Sequence, residues 1–184
     1  MRIWNDYYLI VDVEATCSND GAVPRHEMEI IEIGAVLQSS QTFEIESEFQ
    51  TFVRPVRHRR LTAFCTELTG IKQHQVADAP LFPPALEAMT TWMDAFDDAL
   101  FCSWGDYDRN QFTQDCNYHR LGYPFRSGHL NLKAEFARTM NRRKKCGLAE
   151  ALRHLGMDFE GSHHRGLDDA RNIARIVRRV CIGA

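Results

Sequence analysis

A single α/β domain, with a mixed five-stranded β-sheet flanked by helices, is the fold class predicted for residues 1–184. Three observations carry that prediction. "LIVDVEATC" (9–17) begins as an apolar run of the kind buried on both faces of a central strand. Two further strand candidates follow it directly. From residue 82 onward, helical and strand patterns alternate to the end of the chain.

The elements follow in order. A polar loop, SNDGAVPRHEME, leads to "IIEIGAVL" (30–37), a second apolar strand. "TFEIESEFQTFV" (42–53) alternates, with Phe43, Ile45, Phe49 and Val53 on one face and Glu44, Glu46 and Glu48 on the other. That pattern suits a half-solvated antiparallel strand near a sheet edge. Residues 54–80 read as loop with a short helical middle. From Phe82, Pro83-Pro84 suits a helix start, and Leu86, Met89, Met93 and Phe96 recur at spacings of three and four. "ALFCSW" (99–104) is a strand, and 106–122 a helix stopped by Gly122 and Pro124. "HLNLK" (129–133) reads as a short strand and "GLAEALRHLG" (147–156) as a short helix. The last helix, about Leu167 to Val180, turns Leu167, Ala170, Ile173, Ala174, Val177 and Val180 inward and its arginines outward.

Composition bounds the class. The chain is 44% hydrophobic and 26% charged, enough for one sizeable core. No apolar stretch approaches the roughly 20 residues of a membrane span, so no membrane partner is expected. MRIWNDYY lacks a secretory h-region, and six cysteines lie scattered without a CxxC pair; reduced thiols and a cytoplasmic location are expected. The formal charge of -3 excludes a wholly basic nucleic-acid binder but not a nucleic-acid enzyme with a local basic rim.

Asp12 and Glu14 alternate along the first strand, so they share a face, roughly 7 Å apart. Two exposed carboxylates at a strand's end would account for them; so would a divalent metal site. Asp108 lies in the first turn of the helix after the fourth strand, and Asp169 in the first turn of the last helix, with His164 five residues before it. Ligand sites of α/β sheets gather where strand ends meet helix starts, so these five can converge on one rim. An all-oxygen set suits Mg²⁺ or Mn²⁺ rather than zinc. Two such ions serve phosphodiester hydrolysis, and a histidine of near-neutral pKa serves as general base.

The order DVE, YD and HxxxxD resembles the DEDDh 3′→5′ exonucleases of the ribonuclease-H-like superfamily, over nearly the whole chain. "DVEATC", "LTAFCTELTGIKQHQV", "SWGDYD" and "LGMDFEGSHHRGLDDARNIARI" resemble the Eri-type subgroup, that of the histone-mRNA 3′-end exonucleases. The resemblance implies sheet order 3-2-1-4-5 with the second strand antiparallel. It implies metal ligation by Asp12, Glu14, Asp108 and Asp169, with Asp12 bridging both ions, and His164 as base. It implies a substrate with an RNA 3′ end in preference to DNA, and a nucleoside 5′-monophosphate product. Backbone around Ala15 and Thr16 is placed near the 3′ hydroxyl, and the Leu68, Thr69, Gly70, Ile71 turn beside the terminal base, sandwiched by Leu68 and Ile71. The larger members' extra N-terminal nucleic-acid-binding domain is expected to be missing.

Several readings compete. A tyrosine just before the acid favours Asp108 over Asp106, which reads as solvated or helix-capping. Only His164, not His163, has the five-residue spacing, and Asp168 falls about 100° round the helix from Asp169. Glu32 reads as a hydrogen-bonded structural acid and Trp104 as core; Leu68 and Ile71 have core packing as their alternative. The basic runs RPVRHRR (54–60) and RRKK (142–145) are phosphate guides or solvated surface. Rival functions are a DNA-trimming or proofreading exonuclease, a short-oligonucleotide exonuclease, and a non-catalytic RNA-binding adaptor.

Overall fold

A computed structural model describes residues 1–126 and 128–182. Strands β1 (Tyr7–Ala15), β2 (Ile30–Ser39), β3 (Ile45–Phe52), β4 (Ala99–Ser103) and β5 (His129–Asn131) form one sheet in the order β3-β2-β1-β4-β5. β2 runs antiparallel to β1 and β3, whereas β4 is parallel to β1 and to β5. This is the expected order, with the alternating strand β3 at an edge. The helices are α1 (Ala63–Thr69), α2 (Gln73–Ala77), α3 (Phe82–Met93), α4 (Tyr107–His119), α5 (Leu132–Thr139), α6 (Leu148–His154) and α7 (Gly166–Ile182). No helix among the described residues is long and apolar enough to cross a membrane.

Alternation along β1 sorts its side chains into two layers. Tyr8 and Ile10 pack with Val36 under α5, α6 and α7. Leu9, Val11 and Val13 pack with Ile33, Leu37 and Phe101 under α3 and α4. Asp12 and Glu14 share the parity of Tyr8 and Ile10, so they emerge on the α7 side, where the apolar layer gives out. Each fully buried Ile or Leu contributes roughly 1.5–3 kcal/mol, which helps offset the cost of crowding acids at that rim.

Four local readings change. Phe43 does not belong to β3: it sits in the preceding turn at φ 58, packed in the α7 layer, and Ile45 is exposed. α4 stops at His119 because Arg120 turns left-handed and the Leu121 amide returns to the Cys116 carbonyl, ahead of Gly122. β5 ends at Asn131, whose side chain accepts from the Ala134 amide and starts α5 at Leu132. The buried pair Leu132 and Phe136, four residues apart, was the overlooked helical signal. Residues 54–80 hold two short helices, hinged at Gly70 with φ 70.

Candidate active site

The rim is assembled by backbone contact. Asp12 pairs with Gly34 across β1 and β2, and a Cβ on Gly34 would collide with the main chain of Gly166 and Leu167. A Cβ on Gly166 would in turn lie 2.8 Å from the Asp12 carbonyl oxygen. Only glycine at both positions lets the start of α7 rest directly on the strands. Asp169, in its first turn, is thereby brought over β1, and ligand oxygens of Asp12, Glu14 and Asp169 lie within 4.8 Å of one another. The Arg165 amide donates to Asp169 Oδ2 at 3.1 Å, while Asp169 Oδ1 is buried with no hydrogen-bond partner.

Asp108 enters from α4, on the other side of β1. It is 3% exposed, lines the same cleft, and its Oδ1 accepts from the Val13 amide at 3.0 Å. The choice between Asp106 and Asp108 falls to Asp108. Asp106 is exposed at the N-cap position without a capping bond, and accepts from Arg109 at 3.3 Å and Asn131 at 3.0 Å.

Electrostatics marks these acids as a set. Burial first, then Asp108, Asp169 and Glu14, pushes the Asp12 carboxyl well above its usual range. Burial and Asp169 push Glu14 up to about 9. Burial, only partly countered by amide donors, raises Asp169 to about 7 and Asp108 to about 6. Four carboxyls that resist ionising together, one with an orphaned buried oxygen, form a donor set that fits hard divalent cations.

His164 overhangs this set. Its backbone is left-handed (φ 62), and Nδ1 lies 3.9 Å from Glu14 Oε1. His163, rejected on spacing, also reaches the site: its Nε2 is 3.8 Å from Asp169 Oδ1 and its ring centroid 4.1 Å from that of His164. Burial, then the neighbouring His163, lowers the His164 pKa, so the ring is neutral at neutral pH. Asp168 instead accepts from the Ser162 amide at 2.9 Å, bracing the loop.

That loop is anchored on Glu32, which is the hydrogen-bonded structural acid expected, and on Arg165, which was not singled out. Glu32, fully buried and opposite Glu14 in the sheet, accepts from Arg165 Nε at 3.1 Å, from the Gly166 amide at 3.2 Å and from Gln50 Nε2 at 2.5 Å. An acid within an unbroken apolar strand was its signal; Arg165, beside the two histidines, gave none.

The cleft has a volume of about 440 Å³. Ala15 and Leu68 line it, Leu68 being 39% exposed, and Trp104 lines it too rather than lying wholly in the core. Of the other residues expected to touch substrate, Gly70 is exposed on its turn, while Ile71, Thr69 and Thr16 are internal. Ile71 is fully buried beneath α1, because the Gly70 turn directs it inward, so it offers no face to a base. Thr69 is buried with its hydroxyl on the Cys65 carbonyl. Thr16 is buried and doubly bonded to the Glu29 main chain, at 2.8 and 2.9 Å. A roomier hollow of about 530 Å³ near the start of β4 lies apart from the acids.

The basic runs are mixed in character. In 54–60, the Glu29 carboxylate accepts from the Val56, Arg57 and His58 amides at 2.8–2.9 Å, and the Arg57 guanidinium stands 4.1 Å over the Tyr118 ring. Arg54, Arg59 and Arg60 are exposed. In 142–145, Arg142 pairs with Glu150 at 2.6 Å, while Arg143, Lys144 and Lys145 are exposed.

Sheet order, layers and an acid-lined strand end define an α/β protein of ribonuclease-H-like fold. The family profile described as Exonuclease (RNase T) matches residues 9–177, and the chain belongs to that family. "3'-5' exoribonuclease 1" of Homo sapiens is 38% identical over 183 residues, covering 95% of this chain and 52% of that protein. "ERI1 exoribonuclease 2" of Homo sapiens is 34% identical over 203 residues, covering 96% of this chain and 29% of that protein. The chain therefore spans about half or less of these curated relatives. The solved nuclease domain of 3'hExo, a DEDDh family member, bound to rAMP, is 37% identical with a TM-score of 0.90; the match covers 100% of this chain and 96% of that one.

Proposed function

We propose that this chain is a metal-dependent 3′→5′ exonuclease that shortens RNA from its 3′ end, on single strands or overhangs, releasing nucleoside 5′-monophosphates. The carrying observation is the cluster of Asp12, Glu14 and Asp169 oxygens with the His164 ring against it. The names of the relatives support RNA over DNA.

Asp12, Glu14, Asp108 and Asp169 would hold two divalent ions, Mg²⁺ or Mn²⁺. Such ions, when bound, supply activation of the attacking water and charge neutralisation at the leaving oxygen. His164 is the general base: desolvation keeps its imidazole unprotonated, so it takes the proton of the attacking water. Leu68 supplies an apolar wall for the terminal base, a contact tolerant of base identity. The exposed arginines and lysines of the two basic runs draw in phosphates, which makes binding salt-sensitive. Six free thiols, five of them buried, support a cytoplasmic setting.

The test uses RNA and DNA oligomers of one sequence, labelled at the 5′ end, with Mg²⁺, Mn²⁺ or chelator. A metal-dependent ladder shrinking faster on RNA is expected. Equal or faster trimming of DNA reassigns the substrate, and binding without any ladder rejects the enzyme in favour of an adaptor.

A further inference from the structure

His163 and His164 stand side by side on the loop before α7, and the proposed chemistry uses only His164. Their ring centroids are 4.1 Å apart, and His163 Nε2 is 3.8 Å from Asp169 Oδ1. One ligand atom from each of the three residues lies within 4.8 Å of the other two. Asp169 is held by one oxygen and free at the other. The Arg165 amide donates to Oδ2 at 3.1 Å, whereas Oδ1, the oxygen near His163, is buried without a hydrogen-bond partner. The His163 ring is itself seated edge to face with Phe159, with centroids 5.2 Å apart and planes at 77°. All three residues line the cleft.

This donor set differs in kind from the carboxylates beside it. Two imidazole nitrogens and one carboxylate oxygen suit borderline ions such as Zn²⁺ or Co²⁺, whereas Mg²⁺ takes oxygen ligands. Zinc binds imidazole nitrogen at about 2.0–2.1 Å and carboxylate oxygen at about 2.0–2.2 Å, so ligand atoms round a tetrahedral ion stand roughly 3.3 Å apart. The His163–Asp169 contact exceeds that spacing by about half an ångström. A small turn of the imidazole, whose side chain is 45% exposed, closes the difference. Three protein ligands with a fourth position left to water is the arrangement of open zinc sites.

We propose that His163, His164 and Asp169 form a second metal site, selective for Zn²⁺-like transition ions over Mg²⁺, and that zinc held there stops trimming. The first clause rests on the donor geometry alone; the second also rests on the proposed exonuclease activity. Zinc on His164 occupies the imidazole lone pair, which removes the proton acceptor for the attacking water. It also engages Asp169, which belongs to both donor sets. Mg²⁺ dehydrates reluctantly and seeks oxygen, so an excess of it competes for Asp169 but not for the two nitrogens.

The experiment uses the whole chain stripped of metal. Isothermal titration with Zn²⁺, and visible absorption with Co²⁺ as its spectroscopic stand-in, are run on the unmodified chain, on His163→Ala and on Cys17→Ala, Cys17 being the thiol that lines the cleft. Trimming of a 5′-labelled RNA is then followed in Mg²⁺ with rising Zn²⁺, each protein against its own zinc-free rate. A tight Zn²⁺ site, the intense absorption of four-coordinate cobalt, and inhibition reversed by a zinc-selective chelator are expected. His163→Ala weakens Zn²⁺ at least about tenfold, loses the cobalt band and needs at least about tenfold more zinc for inhibition, while its Mg²⁺ affinity is unchanged. His163 is exposed, so the variant keeps the fold, which its melting temperature checks. Cys17→Ala matches the unmodified chain. No tight zinc binding, zinc binding unaltered in His163→Ala, or binding lost in Cys17→Ala instead overturns the site. Zinc held through His163 without inhibition overturns the second clause. If the zinc-free protein trims nothing, the exonuclease reading and the inhibition fall together, while the metal site stands or falls by the titration and the cobalt spectrum.

Discussion

The carboxylate rim and the histidine loop above it meet in one cleft but are held in unlike ways. Asp12, Glu14 and Asp169 sit where three main chains touch, two strands and a helix start with glycines at the crossing. No side chain intervenes, so nothing at that crossing can rotate away. His163 and His164 ride a loop held by side chains: Glu32 on Arg165, Asp168 on the Ser162 amide, and a left-handed backbone at His164 itself. The lesson is a division of labour. The charge-dense part of the site is fixed by backbone packing, which tolerates almost no drift. The histidine-bearing part is tethered by an ion pair and a hydrogen bond from side chains that can be replaced one at a time.

Mutations at each region separate the two. The largest loss is expected for Asp169→Ala, at least about 10²–10³-fold in trimming rate, the scale of removing one preorganised electrostatic contact. The fold is retained, and isothermal titration shows weakened Mg²⁺ binding; a fully active variant breaks the assignment of the rim. His164→Ala loses about 10²-fold or more while Mg²⁺ binding persists. His163→Ala loses less, and a reversed order would transfer the base role to His163. The acid limb of the His164-dependent pH–rate profile lies below the ordinary histidine value of about 6.5, because burial lowers its pKa.

Gly34→Ala attacks the crossing itself. Overpacking of this kind costs about 1–3 kcal/mol, read as a lower melting temperature, and pushes α7 off the strands, so Mg²⁺ affinity falls with stability. Glu32→Gln, which keeps shape but drops the charge that holds Arg165, is expected to slow trimming about tenfold with Mg²⁺ affinity intact, the loop loosening while the rim stays. If Gly34→Ala and Glu32→Gln had the same signature, the two regions would not be separately supported.

A last test concerns stability without metal. Glu14, Asp169 and Asp108 are raised to about 9, 7 and 6, so the folded chain holds their protons more tightly than the unfolded one. Their contribution is full below the ordinary carboxyl range and is lost as pH climbs through those values. In chelator the melting temperature therefore falls between about pH 5 and about pH 8, and Mg²⁺ restores it at the higher pH. A chelated protein that grows more stable over that range contradicts the crowding of the carboxyls.

Much of this molecule was readable from residue order because its strongest signals are local. Apolar runs, the alternation of residues 45–53 and the period of the last helix specified elements. The parity of Asp12 and Glu14 put both on one face, first-turn positions made Asp108 and Asp169 candidates, and the preceding tyrosine and the spacing to His164 chose them over Asp106 and Asp168. Those features survive folding since each depends only on neighbours along the chain. The tertiary structure decided what depends on approach between distant segments. It buried Ile71 and Thr16 where substrate contacts were expected, brought His163 within reach of Asp169, and seated Arg165 on Glu32. Periodicity says which face a side chain takes, but not which remote atom meets it there. At this site that meeting is settled by two glycines whose missing side chains let a helix rest on a strand.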